Sequence, residues 1–209
     1  FEKYDGLRGF WNPQTKAFYS RKGNRFIFPP EIIEAMSSDV FLDGELWLLP
    51  SSLPPTHPQA HIFILQVWED SFQEAMKIAH RSNEAQLDWS RFKYMVFDAP
   101  THSGTYQERY KYLGTLYLPP GTIQEISLLE NYFQRNPCKY VQLAGYVECK
   151  DVAHVETFFQ DVFEAGGEGV ILRDPQALLQ PGRSTGYLKH KVVPSSSAMH
   201  LTLILYLEI

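Results

Sequence analysis

The chain of 209 residues carries a formal net charge of −5, and 44% of it is apolar. That allows one large domain or two small ones with a sizeable core, and it excludes a protein that holds nucleic acid through overall basicity. Cys138 and Cys149 fit neither a zinc knuckle nor a redox Cys-x-x-Cys pair, no basic-then-apolar leader opens the chain, and no run of about 18 apolar residues could span a bilayer. The composition points to a reduced, intracellular protein with no membrane partner, whose contacts with any nucleic acid come from local cationic clusters.

Near the start, "EKYDGLRG" (2–9) sets Asp5-Gly6, a strong turn signal, beside Lys3. "GLRGFWN" and "AFYSRKG" alternate apolar and polar residues around a turn at Asn12-Pro13-Gln14, and "VFLDGELWLL" (40–49) alternates in the same way. A turn at Asp43-Gly44 would interrupt that alternation, so the segment reads as one strand whose glycine admits a close neighbour. "SFQEAMKIAHRS" (71–82) puts Phe72, Ala75, Met76 and Ala79 on one helical stripe behind Ser71 as N-cap. "FKYMVFDAP" (92–100) is a strand ended by Pro100. "TYQERYKYLGTL" (105–116) and "EISLLENYFQRN" (125–136) are helices parted by Pro119-Pro120-Gly121.

"YVQLAGYVEC" (140–149) reads as a further strand. "DVAHVETFFQDVFEAGG" (151–167) is a helix with Asp151 as N-cap, Gly166 as stop and a core stripe of Val155, Phe158, Phe159, Val162 and Phe163. "GVILRD" (169–174) is a short buried strand, "PQALLQPGRSTG" (175–186) a loop, and "YLKHKVV" (187–193) a last strand. Grouped strands with interspersed helices predict an α+β fold with antiparallel-rich sheets flanked by helices. Neither GxGxxG nor GxxxxGK[ST] occurs, so a nucleotide would be held without those phosphate loops.

Several charges stand where a core is expected. In "FLDGELW" (41–47) the strand period puts Phe41, Asp43, Glu45 and Trp47 on one face, which reads as a half-exposed surface or as a metal or ribose contact in an aromatic-walled cleft. Glu168, between glycines at the mouth of an apolar strand, is a solvated loop acid or a carboxylate for Mg²⁺. "YLKHKVV" puts Tyr187, Lys189, Lys191 and Val193 on one face. Two lysines so placed suit a protected edge strand or an anion held between them, with Arg183 as helper. Lys3 can act as a nucleophile only without its proton, and the reference lysine pKa of about 10.4 leaves little free amine at neutral pH. Burial and nearby cations such as Lys189, Lys191 or a divalent metal would lower that value.

Taken in order, Lys3-Tyr4-Asp5-Gly6-Leu7-Arg8, Ser20-Arg21-Lys22-Gly23, Asp43-Gly44-Glu45-Leu46, Tyr94-Met95-Val96-Phe97-Asp98, Glu168-Gly169-Val170 and Leu188-Lys189-His190-Lys191 resemble the adenylation domain of the ATP-dependent DNA ligases. The resemblance implies the ATP-grasp-like fold shared by DNA ligases and mRNA-capping nucleotidyltransferases. It also implies a three-step reaction in which Lys3 takes AMP from ATP, AMP passes to the 5′-phosphate of nicked duplex DNA, and the 3′-hydroxyl displaces it. By the same resemblance Arg8 and Arg21 contact ribose or phosphates, Glu45 a ribose or metal, and Phe97 stacks on adenine. Glu168 holds Mg²⁺ or Mn²⁺, Lys189 and Lys191 grip the α-phosphate, and Asp43 neighbours the site. The enzyme would be a monomer serving DNA repair, replication or recombination.

The expected organisation is an N-terminally truncated adenylation domain over 1–193 and an atypical tail over 194–209 in place of an OB-fold domain, with poor end sealing by this chain alone. Lys-x-Asp-Gly and the Lys-x-Lys strand also suit an RNA ligase or an mRNA-capping guanylyltransferase. A non-catalytic module that binds nucleotide or a nick is the alternative from a different class. "LDGELW" and "FDAP" favour the DNA ligases.

Overall fold

Alternation in the first hundred residues builds a sheet with one dry face. A computed structural model of the chain describes residues 1–48, 75, 76, 78, 88–117, 139–182, 184–191 and 204–206. Strands β1 (Leu7–Asn12), β2 (Ala17–Ser20), β3 (Leu42–Leu48), β4 (Phe92–Asp98) and β5 (Val141–Leu143) form a five-stranded sheet in the order β2-β1-β3-β4-β5. All neighbours are antiparallel except β4 and β5. The in-phase residues Trp11, Phe18, Leu42, Leu46, Phe92, Tyr94, Val96 and Leu143 are buried there, together with Phe28, Ile32 and Val40 from the β2–β3 connection. That connection carries a short helix that strand periodicity does not reveal, α1 (Pro30–Glu34). Helix α2 (Tyr106–Tyr117) adds Tyr106, Tyr110 and Leu113 to the same core. Its first turn is closed by a capping box between Thr105 and Glu108, with the Thr105 N–H donating to the carboxylate at 2.7 Å.

A second sheet holds β6 (Gly169–Arg173), β7 (Tyr187–Lys191) and β8 (Ile204–Tyr206) in that order, all antiparallel. Helix α3 (Val152–Glu164) covers one face of it. Asp151 caps the helix, accepting from the His154 N–H at 2.8 Å, and Gly166 follows at φ 91°. Phe159 and Val162 pack on Val170, and the Phe159 ring stacks on His190 at 4.1 Å.

Some expectations change. Asp5-Gly6 is a bend and not a hairpin, because the residues on its two sides pair with different sheets: Glu2 bridges Val170 of β6, whereas β1 pairs with β2 and β3. The hairpin lies at Asn12–Ala17. The "YVQLAGYVEC" strand shortens to β5, since pairing stops where β4 bulges. Only Gly169 and Val170 of β6 are buried, because its far end borders a cavity. β7 is no edge strand, since β8 pairs with it from within the tail. Residues 75, 76 and 78 are helical, but the rest of 71–82, the helix expected at 125–136, Arg183 and most of 194–209 lie outside the described residues. Among the described residues no helix is long and apolar enough to cross a membrane.

Candidate active site

Lys3 is held by the second sheet. Its backbone N–H donates to the Gly169 carbonyl at 2.8 Å, and the Ile171 N–H donates to the Phe1 carbonyl at 2.8 Å, so residues 1–3 extend β6 by a short antiparallel edge. The Lys3 ammonium pairs with Glu168, whose other oxygen lies 3.6 Å from the Lys191 Nζ. Gly169 makes this possible. At φ 152° a Cβ there would stand 2.3 Å from the His190 carbonyl oxygen, so only glycine lets β6 begin this close to β7. Asp5 lies nearby, its carboxyl pushed up to about 6 by burial and by the Glu168 charge, against the pull of Lys3 and Lys191.

The polar face of the first sheet forms the opposite wall. Arg8 on β1 stands across from Glu45 on β3 in register. The Arg8 guanidinium donates twice to Asp43, at 3.0 and 2.6 Å. Burial opposes the Arg8 charge, but those two bonds outweigh it and raise the pKa further above its ordinary value. Glu45 has no such partner. Burial pushes its carboxyl up to about 8, with Lys3 and Arg8 opposing and the Asp43 and Glu168 charges adding to the rise. On β4 the ladder slips: Asp43 faces Asp98 while Gly44 faces Val96, so Phe97 is the extra residue of a bulge. The bulge brings Phe97 and Asp98 to the cavity together. The guanidinium carbon of Arg8 lies 5.7 Å from the Phe97 ring centre.

From the second sheet come Tyr187 and Lys189 on β7 and Ile171 and Arg173 on β6, two cross-strand pairs on one face. Between the walls is a cavity of about 340 Å³, within the range of small-ligand sites. Lys3, Arg8, Arg21, Glu45, Phe97 and Lys189 line it. Six of the eight predicted site residues thus line the cavity, while Glu168 and Lys191 stand beside it, Glu168 paired with Lys3 and Lys191 next to Glu168. Arg21 is exposed at the rim, where the cavity meets a shallower groove lined by Arg8, Lys22 and Arg25.

Three further residues of the cavity wall, Asp98, Arg109 and Arg173, were given no role by the sequence. Asp98, 1% exposed, accepts from Arg109 at 2.7 and 3.1 Å, and Arg109 also donates to the Gly104 carbonyl at 2.9 Å. Arg173 approaches Asp98 to 3.8 Å. Strand period puts Arg173 in phase with Ile171, but nothing local pairs Asp98 with a helix eleven residues on.

The two sheets thus face each other across a lysine-bearing, cation-lined cleft. The chain belongs to the family of ATP-dependent DNA ligase domains, whose sequence model matches residues 2–191. It is 26% identical to the DNA ligase of Haemophilus influenzae over 190 residues, which is 91% of this chain and 56% of that protein. Among solved structures it is similar to a Lig E DNA ligase, with a TM-score of 0.58 and 18% identity over 99% of this chain and 72% of that one. It is likewise similar to the Chlorella virus DNA ligase-adenylate, with a TM-score of 0.56 and 17% identity over 88% of this chain and 56% of that one.

Proposed function

We propose that residues 1–193 are an adenylation unit that loads AMP from ATP onto Lys3 and passes it to the 5′-phosphate at a nick in duplex DNA, where the 3′-hydroxyl displaces it. The observation that supports this most is the convergence of Lys3, Arg8, Phe97 and Lys189 on one cavity, with Glu168 paired to Lys3 and Lys191 3.6 Å from Glu168. In the first step the Lys3 Nζ, as free amine, forms a bond to the α-phosphorus, the bond to the bridging oxygen breaks, pyrophosphate leaves, and the amine gives up a proton. Lys189 and Lys191 stand where they can take the charge that gathers on the phosphoryl oxygens, and Arg8, fixed by Asp43, is preorganised for ribose or phosphate. Phe97 offers a ring face for the base.

Among the described residues no three His, Cys, Asp or Glu side chains are grouped to hold a metal ion by themselves. Glu45 and Glu168 nevertheless fit Mg²⁺ or Mn²⁺ held in part by substrate phosphates, because both are hard oxygen donors and their mutual repulsion is relieved by a cation between them. When bound, such an ion neutralises phosphoryl oxygens.

Incubation with ATP and Mg²⁺ should raise the intact mass by one AMP, mapped to Lys3 and absent from Lys3→Ala, with no adduct from GTP. A wild-type chain without the adduct, or a Lys3→Ala chain that keeps it, would refute the proposal. Transfer is then followed on a 5′-phosphorylated nick in DNA against the matched nick in RNA.

A further inference from the structure

β7 presents its two lysines on one face and is anchored by the other. Strand alternation turns Lys189 and Lys191 to the side of the cleft and His190 to the side of α3. Of the five residues of β7 only His190 is buried, at 1% exposure. The buried anchor of the strand is thus an imidazole, and its neighbours in the chain are the two lysines assigned to the phosphate. The ring stacks on Phe159 with an angle of 29° between the planes. Among the described residues, neither ring nitrogen has a hydrogen-bond partner.

From α3 the titratable group that faces the ring is Glu156, one turn before Phe159, with a carboxylate oxygen 3.5 Å from the His190 Nε2. Its side chain is 38% exposed, so the carboxylate can close on the ring while it stays partly in water. Across the sheet His190 pairs with Val170 of β6 and Leu205 of β8. Beyond Val170 the row continues to Glu2, whose carboxyl is pushed up by burial. Histidine is the side chain whose charge ordinarily changes between pH 5 and 8, and its charged form carries an N–H on both nitrogens. Protonation therefore turns the contact with Glu156 into an imidazolium–carboxylate pair between β7 and α3.

We infer that His190 is a positioning residue: as an imidazolium it pairs with Glu156, pins β7 against α3, and so sets where Lys189 and Lys191 stand toward a phosphate on the other face of the strand. The phosphate rests on the adenylation reading above, whereas the pair itself does not.

The test compares the 209-residue chain with its Glu156→Gln and His190→Phe variants. Glutamine keeps the shape of a half-exposed side chain and phenylalanine keeps the stack on Phe159. A thermal melt identifies a variant that does not fold, and if His190→Phe is that one, Glu156→Gln decides alone. Hydrogen exchange, corrected for intrinsic rates, should show the β7 amides of the wild-type chain about two- to fivefold better protected at pH 6 than at pH 8, as a partly exposed ion pair allows. Neither variant should show that difference. Asp5 and Glu45 also change protonation over this interval, but they are common to all three chains. AMP and adenosine differ by one phosphate, so the ratio of their calorimetric affinities at pH 6 reads the grip of the lysines. It should fall by a similar factor in both variants while adenosine binding holds. Equal protection at the two pH values in the wild type, a difference that survives Glu156→Gln, an unchanged ratio, or AMP and adenosine weakened alike overturns the inference. Protection that follows pH and Glu156 in a chain that binds neither ligand upholds the pair and refutes the adenylation reading.

Discussion

Glu45 carries the clearest cost of building the cleft. Its carboxyl has an ordinary value of 4.5 and a folded-state value of about 8, so across that interval the native chain keeps a proton that the unfolded chain releases. Stability should fall as pH rises from about 5 to 8, with the penalty complete above the folded value. Glu45→Gln removes it. In urea titrations with EDTA at pH 5, 6.5 and 8, the variant should gain on wild type as pH rises, while adenylylation of Lys3 drops; a gain that does not vary with pH excludes this origin. The sequence marked Glu45 and the two lysines of β7 because each shares a strand face with aromatic or apolar residues, and Lys3 through the turn beside it and the family motif it opens. Asp98, Arg109 and Arg173 do not stand out, since their relation comes from the meeting of a strand end, a helix and the other sheet, which no local period encodes.

At the scale of elements, β3 and β4 together make the site. Alternation correctly divides β3 into a dry face of Leu42, Leu46 and Leu48 and a site face of Asp43, Glu45 and Trp47. Gly44 serves the dry face: a Cβ there would lie 2.6 Å from the Met95 carbonyl oxygen and 2.7 Å from the Tyr94 ring. Tyr94 uses that room to reach the carbonyls of Gly9 and Leu42, at 2.9 and 3.0 Å. Gly44→Ala should cost about 1–3 kcal/mol by overpacking. A lower urea midpoint with an unchanged m-value would show it, whereas an unchanged midpoint would mean that β4 gives way freely. The bulge at Phe97 lay beyond sequence reasoning, because a one-residue slip in the partner's register leaves no mark on the strand's own pattern.

At the scale of the molecule, Leu42, Leu46 and Leu48 of β3 face the dry core and Asp43 and Glu45 face the site from the opposite side of the sheet, and the second sheet closes the cleft. The acidic net charge of −5 coexists with a cleft lined by Arg8, Arg21, Lys189 and Arg173. A ligand that touches both walls ties them together only in the native state. ATP at about 100 times its dissociation constant should therefore stabilise the chain by about 2.7 kcal/mol. The measurement is a thermal melt in an ATP titration on Lys3→Ala, which separates binding from covalent loading; no rise in Tm would mean that the cleft does not hold ATP.

The attachment of residues 1–3 to β6 bears on how such a cleft could move. Lys3, Glu168, Lys189 and Lys191 all belong to the second sheet, whereas Arg8, Glu45 and Phe97 belong to the first. The bend at Asp5-Gly6 is the chain's own link between them on this side of the cleft. If the jaws part, Lys3 travels with Glu168, Lys189 and Lys191 as one piece, and their mutual geometry survives every opening and closing while their distances to Arg8, Glu45 and Phe97 change.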